Sequence, residues 1–440
     1  MKYLVLGGNA AGMSFAAKMK RNDASSEIIV IEKNDYVSFG ACGLPYYVGD
    51  NFANEQRMIV KTPEEFQETG IDLRIKEEVL SVNEKAKEVE IKSQAKTYIE
   101  TYDKLIISTG AKPIILNNVQ PDYKKVFTLT SLEDGKKLKA LIKEKSNLNI
   151  GIIGTGFIGL ELMDALLDKE HTITMFTNTK TIMAPTYSAE IVEPIEVKLQ
   201  KLTNLTIKNN VLIDKLEIKE LVELSYDNQQ EVFDIVVMCI GFKPNTAFIS
   251  NVDKIPNGAI ITDNKAQTSV KDIYAIGDCA TVTNLITKKP MFLPLATTAN
   301  KLGRMLADSL ANKEVYFQGM LGTSAIKILD YELGKTGLGE QDCLDNQIAY
   351  KTKIITDFNQ TNYYPGQEKI MAKIIYEAQT LQILGIEMVG KKGVIGRIDA
   401  MALAIHHKMT TAELGYADFA YAPPFARTWD FLNVIGNVSK

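Results

Sequence analysis

The chain has 440 residues, 45% of them hydrophobic and 24% charged, enough for about three domains of ~150 residues with buried cores. Lys and Arg total 50 against 54 Asp and Glu, a net charge of −4; this argues against nucleic acid as a partner, which would call for a basic excess. Four cysteines, Cys42, Cys239, Cys279 and Cys343, are too few and too scattered for a disulfide scaffold or a zinc cluster.

The first segment, Lys2–Leu6, reads as a buried strand, Gly7–Gly12 as a turn and Met13–Arg21 as a helix. Its apolar stretch, Tyr3–Leu6, is shorter than the core of a signal peptide. No apolar run approaches the ~20 residues of a membrane helix. The expectation is therefore a cytoplasmic protein with reduced thiols. A second strand, Glu27–Ile31, ends at Glu32, and Glu32 lies 20 residues after Gly12. A carboxylate at that place can accept from a ribose hydroxyl. The turn itself is irregular, with Asn9 at the middle glycine position.

Cys42 lies in Ser38-Phe39-Gly40-Ala41-Cys42-Gly43-Leu44-Pro45-Tyr46-Tyr47. Pro45 suits the first turn of a helix, which would put the sulfur at a helix N-terminus and lower its pKa. A buried structural cysteine is the alternative. The fifth residue after Cys42 is Tyr47, so no second cysteine completes a dithiol, and any redox chemistry must use one protein sulfur. Leu105–Thr109 reads as a strand running into the turn Gly110-Ala111-Lys112-Pro113.

The opening pattern then returns. Asn149–Ile153 is a strand, Gly154-Thr155-Gly156-Phe157-Ile158-Gly159 a full G-x-G-x-x-G, Leu160 to about Lys169 a helix, and Thr172–Phe176 a strand. Glycines there allow a tight turn and close approach of a pyrophosphate to backbone N–H groups at a helix start. Position 177, where a strict NAD binder carries an acid, is Thr177, followed by Asn178 and Lys180. Nothing there would repel a ribose 2′-phosphate. Asp234–Ile240 is a buried strand ending at Gly241, after which Lys243-Pro244-Asn245 breaks the structure. Ile273–Ile276 repeats the idea before Gly277-Asp278. From about Gly319 the strands Ser324–Leu329, Ile348–Asp357, Ala372–Tyr376 and Gln382–Val389 look antiparallel, and a helix over roughly Val394–His407 follows. His171, His406 and His407 form no triad or ligand spacing, so no metal is expected.

The two glycine turns, Glu32, Thr109-Gly110-Ala111-Lys112-Pro113, Cys239-Ile240-Gly241-Phe242-Lys243-Pro244-Asn245 and Ala275-Ile276-Gly277-Asp278 together resemble the pyridine nucleotide–disulfide oxidoreductases along essentially the whole chain. The single cysteine resembles the branch of coenzyme A-disulfide reductases, NADH oxidases and NADH peroxidases. The resemblance implies an α/β fold with two Rossmann-like dinucleotide-binding domains and an α+β dimerisation domain. The divisions expected are 1–113 with 245–318 for FAD, 114–244 for NAD(P)H, and 319–440 for a homodimer interface.

It further implies FAD contacts from Gly7, Gly8, Asn9, Ala10, Ala11, Gly12, Glu32, Lys33, Thr109, Gly110, Asp278 and Ala296. NADH or NADPH would meet Gly154, Gly156, Phe157, Ile158, Gly159, Thr177, Lys180 and Gly241, with Phe157 as a gate. Cys42 would be the redox sulfur. Tyr363 and Tyr421 would reach the partner subunit's site to bind or protonate the thiol, and Lys18, Lys20, Arg21 and Ser38 would bind coenzyme A. Oxidases of this branch usually carry a histidine in the first turn, where this chain has Ala10. The resemblance therefore favours a small disulfide or persulfide over dioxygen as acceptor, with a water-forming NADH oxidase as the alternative. Neither membrane nor nucleic acid is an expected partner.

Overall fold

The computed structural model describes residues 1–116 and 119–440. Five parallel strands form the first sheet in the order Ile273–Ala275, Lys104–Ile107, Lys2–Leu6, Glu27–Glu32, Asp72–Ile75. The second sheet, also parallel, runs Val126–Phe127, Ile235–Met238, Asn149–Ile153, Thr172–Phe176, Leu205–Lys208. From the second position on the strand orders match, so the sequence repeat is a repeat of topology; the first-placed strand differs, being the last of its sheet in chain order at Ile273–Ala275 and the earliest at Val126–Phe127. Each unit also carries a three-stranded antiparallel sheet before its late central strand, over 78–101 and 215–233. Parallel strands are buried on both faces, which explains apolar runs such as Leu4-Val5-Leu6 and Ile235-Val236-Val237, each residue of which is at most 2% exposed.

Both glycine turns are shorter than the sequence suggested. The helices begin inside the motifs, spanning Ala10–Asn22 and Phe157–Leu166. The reason is steric. Gly12 and Gly159 are helical residues pressed onto the turn, where a Cβ would lie 2.0 Å from the Gly7 carbonyl oxygen and 2.1 Å from that of Gly154. A second correction concerns Gly110–Pro113 and Lys243–Asn245. These were expected as turn and break, yet Ala111–Pro113 and Phe242–Pro244 pair as an antiparallel ribbon, with Lys112 opposite Lys243. Proline is tolerated here because a two-stranded ribbon has only edges.

The chain ends in a five-stranded antiparallel sheet, ordered Ser324–Ile328, Tyr331–Gly337, Ile383–Gly390, Lys369–Glu377, Tyr350–Phe358. Helices Ile395–His406 and Phe431–Val438 bury Ile398, Met401, Phe431 and Ile435 against it. The core of the second unit is continuous with residues of this sheet (Ile326, Ile328, Leu333, Val389) and with Leu44, Tyr47 and Val48 of the segment after Cys42. That continuity positions the site.

Candidate active site

The two turns have the same geometry. Gly7 and Gly154 sit at φ of +105° and +109°, and a Cβ on either would lie 2.3 Å from a strand carbonyl, that of Ser108 or Cys239. Only glycine meets both conditions. A Cβ on Gly156 would meet nothing within 4 Å, so the middle of the second turn faces open space. In the first turn Glu32 is 5% exposed and accepts from the Gly8 N–H at 2.7 Å and from the Asn34 N–H at 2.9 Å. A carboxylate has about four acceptor positions, so capacity for a ribose hydroxyl remains. Lys33 and Ala296 are exposed, the latter opening the helix Ala296–Leu310.

Asp278 carries the clearest trace of an absent ligand. It lies in the short turn after Ile273–Ala275 and has no hydrogen-bond partner among the described residues. Burial pushes its carboxyl up to about 6. A half-buried acid without a donor is partly desolvated at a cost, and ribityl hydroxyls would supply donors. Together with the Gly7–Gly12 cradle, these residues fit FAD.

Cys42 is reached through the first turn. Ser38, held at φ +49°, donates its N–H to the Gly8 carbonyl at 3.0 Å, and the Phe39 N–H donates to Asn9 Oδ1 at 3.1 Å. A single helical turn, Ala41–Gly43, then runs into the helix Leu44–Val48 with Pro45 in its first turn. Cys42 is solvent-exposed, whereas Cys279 and Cys343 are buried. Its thiol is not lowered, contrary to the sequence expectation. Desolvation and the charges of Glu161 and Asp278 push it up, and a helix of one or two turns has too small a dipole to compensate.

The cysteine helix docks on the second unit. Leu44 is fully buried, and a Cβ on Gly135 would lie 2.5 Å from it. A Cβ on Gly49 would lie 2.6 Å from Ala165 Cβ. Lys139, from the helix Leu132–Glu144, donates to the carbonyls of Tyr47 (2.7 Å) and Phe52 (3.1 Å) and pairs with Asp50 at 2.7 Å. Tyr46 donates to Glu161 Oε1 at 3.0 Å. Sequence reasoning missed Tyr46, Lys139 and Glu161. Only the spacing of Tyr46, four residues after Cys42, could have pointed to it.

The other expected residues fall in separate places. Tyr363 and Tyr421 meet each other, their hydroxyl oxygens 2.7 Å apart, on the terminal unit. Both are exposed, and neither has a contact with Cys42 in this chain. Lys18 pairs with Asp308 at 3.1 Å and Lys20 donates to the Ser26 carbonyl at 3.0 Å, while Arg21 is exposed. Thr109 donates to the Asn245 carbonyl at 2.6 Å beside Gly110. Thr177 bonds Thr179 Oγ1 at 2.7 Å, and Lys180 is exposed. Phe157 and Ile158, half-buried, open the helix that follows the second turn, and Gly241 lies at φ +99° beside the ribbon.

Residues 1–300 match the model of pyridine nucleotide-disulphide oxidoreductases and residues 323–431 that of their dimerisation domain. The chain belongs to this family. It is 34% identical over 443 residues to a CoA-dependent NAD(P)H sulfur oxidoreductase of Pyrococcus furiosus, covering 100% of this chain and 99% of that one. It is 31% identical to a coenzyme A disulfide reductase of Staphylococcus aureus, covering all of both chains. It is 28% identical to an NADH oxidase of Enterococcus faecalis, covering 100% of this chain and 99% of that one. Among the described residues no helix is long and apolar enough to cross a membrane.

Proposed function

We propose that the protein is a homodimeric, FAD-dependent NAD(P)H oxidoreductase that reduces coenzyme A disulfide, or a related small disulfide or persulfide, through Cys42. The observation that carries this reading is one exposed cysteine near two dinucleotide-type turns, with a half-buried Asp278 that has no hydrogen-bond partner among the described residues. We assign 1–113 with 245–318 to FAD, 114–244 to the nicotinamide nucleotide and 319–440 to the dimer interface, in a cytoplasmic enzyme.

A bound FAD would accept hydride from NAD(P)H and relay two electrons to sulfur. The residues that would hold it are Gly7–Gly12, Glu32, Lys33, Thr109, Gly110, Asp278 and Ala296. Gly154–Gly159 and Gly241 would hold the reductant, with Phe157 as a gate. Thr177 and Lys180 leave room for a 2′-phosphate, so NADPH is accepted beside NADH. The Cys42 thiolate attacks one sulfur of the substrate, forming a mixed disulfide and expelling the other half as a thiolate. Tyr421 or Tyr363 of the second subunit donates the proton that neutralises it. Two electrons from NAD(P)H then cleave the mixed disulfide and restore Cys42. Lys18, Lys20, Arg21 and Ser38 lie along the segments that would receive coenzyme A.

The NADH oxidase reading draws support from the Enterococcus relative, but Ala10 leaves no imidazole in the first turn to assist oxygen–oxygen chemistry. Steady-state assays with coenzyme A disulfide and with dioxygen, each with NADH and NADPH, decide between them. Wild type should reduce the disulfide at least tenfold faster than dioxygen, and kcat/KM for the two nucleotides should agree within about tenfold. Cys42→Ser should lose disulfide reduction while keeping its FAD. Full turnover by that variant, or oxygen reduction that outruns disulfide reduction, overturns the proposal.

A further inference from the structure

The loop that carries Tyr363 joins the strands Tyr350–Phe358 and Lys369–Glu377. Such connections normally lie in solvent, yet Asn359 and Gln360 at its base are 3% and 0% exposed. Asn359 closes the loop, its N–H donating to the Glu368 carbonyl at 2.9 Å and its Oδ1 accepting from the Glu368 N–H at 2.8 Å. Gln360 Nε2 donates to the Pro365 carbonyl at 2.9 Å and the Tyr364 carbonyl at 3.3 Å, and the Gln360 carbonyl accepts from Gln367 at 2.7 Å. Gln360 Oε1 meets no donor among the described residues, which is costly for a buried amide, so this side chain contributes through what its Nε2 holds. The loop is cross-braced around Tyr363, whose ring stays exposed.

Tyr421 comes from a second irregular segment, which ends at Asp430, the N-cap of Phe431–Val438. One guanidinium spans the two. Arg397 Nη2 donates to the Asn359 carbonyl at 3.2 Å, its Nε donates to Asp430 Oδ1 at 3.1 Å, and its Nη1 donates to the Gly393 carbonyl at 2.7 Å. Thr361 adds a direct tie, donating to the Pro423 carbonyl at 3.2 Å. A planar fork with donors in fixed directions can serve a carboxylate and two carbonyls at once, and an ammonium group lacks that geometry.

We propose that Arg397 and Gln360 are positioning residues that hold the Tyr363 and Tyr421 hydroxyls in register for proton transfer to the departing thiol. The inference rests on these tyrosines being the proton donors of the disulfide reaction. Their oxygens are 2.7 Å apart, so one hydroxyl donates to the other and the accepting one keeps its own proton free. When that proton passes to the departing thiolate, a thiol and a phenolate result, and no electrons move. The hydrogen bond within the pair then falls on an anion and strengthens, and water later returns the proton. This gain requires one fixed spacing between two segments 58 residues apart. Two exposed side chains would pay rotamer entropy to keep it by themselves; braced segments have the geometry ready before substrate arrives.

The test compares kcat on coenzyme A disulfide with kcat on dithiobis(nitrobenzoate), whose aromatic thiolate leaves without a proton, in dimeric, FAD-loaded fractions. Replacing both tyrosines (Tyr363→Phe with Tyr421→Phe) sets the reference, and should lower the first at least about tenfold and the second less than about twofold. Arg397→Lys and Gln360→Met leave both hydroxyls in the chain and should show the same selectivity, about threefold or more on coenzyme A disulfide alone. An equal loss on both disulfides marks a merely structural role and overturns the proposal, as does full activity on both. If Arg397→Lys does not fold, Gln360→Met decides, since it exchanges one buried side chain for another of similar size. Selectivity in the tyrosine reference but not in these variants overturns this proposal alone. No selectivity in the reference overturns the tyrosine reading and this proposal with it.

Discussion

At the scale of single residues, Asp278 offers a sign-definite prediction. Its carboxyl titrates near 6 when folded against an ordinary value of 3.8. A folded pKa above the unfolded one means that the native state binds the proton more tightly. Stability contributed by this group is therefore present below about pH 4 and is lost as pH rises through 6. Two units correspond to about 3 kcal/mol, reduced by the partial solvent access of the site. Flavin-free Asp278→Asn protein should gain roughly 1–3 kcal/mol over wild type in urea unfolding at pH 7.5, and little at pH 4. An equal gain at both pH values would show that the carboxylate's charge is not what strains the empty fold. Loaded protein should show the reverse ranking, because ribityl hydroxyls then satisfy the anion. Glu32 was legible in the sequence because it ends a strand 20 residues after Gly12, and Asp278 because it follows a buried strand in a chain that resembles flavoenzymes. Tyr46 and Glu161 were not, because 115 residues separate them and no local pattern encodes that meeting.

At the scale of elements, the cysteine helix shows where local signals stop. Five residues are far too few to hold a helix in water, so Leu44–Val48 exists through what it packs on. Leu44 alone contributes about 1.5–3 kcal/mol by burial, and Lys139 satisfies the Tyr47 carbonyl in the last turn of this helix and that of Phe52 beyond it. Lys139→Met keeps the aliphatic stem but removes every donor. It should cost about 1–3 kcal/mol in denaturant unfolding and lower kcat more than the KM for NADPH, since the sulfur is displaced while the nucleotide turn is intact. No loss in either quantity would mean that apolar packing alone fixes the helix. The sequence announced Pro45 as a helix start, and it is one. It carried no sign of Lys139, a lysine on an amphipathic helix that looks solvated until the neighbouring unit is placed against it. The strands were easier to read, since Tyr3–Leu6 and Ile150–Ile153 are uninterrupted apolar runs whose burial needs no long-range partner to be guessed.

For the whole molecule, the terminal unit leaves large aromatic side chains in solvent. Tyr363, Tyr416, Phe425 and Trp429 are 70%, 80%, 75% and 52% exposed, an unusual concentration for the surface of one unit of a lone chain. Burial of this surface in the homodimer would explain it and would carry the Tyr363–Tyr421 pair to the second subunit. Phe425→Glu should then move the protein from dimer to monomer in sedimentation velocity and remove disulfide reduction, with FAD content unchanged. A dimer that survives the substitution with full activity would place the interface elsewhere.

The ribbon formed by Ala111–Pro113 and Phe242–Pro244 gives the middle unit one doorway, its incoming and outgoing strands lying side by side. A module spliced in through a single narrow neck can be exchanged for another of the same outline with two cuts. Nucleotide preference in such a chain is thus exchangeable only if the replacement keeps the surface of Leu132–Glu144 and Phe157–Leu166 on which the cysteine helix rests.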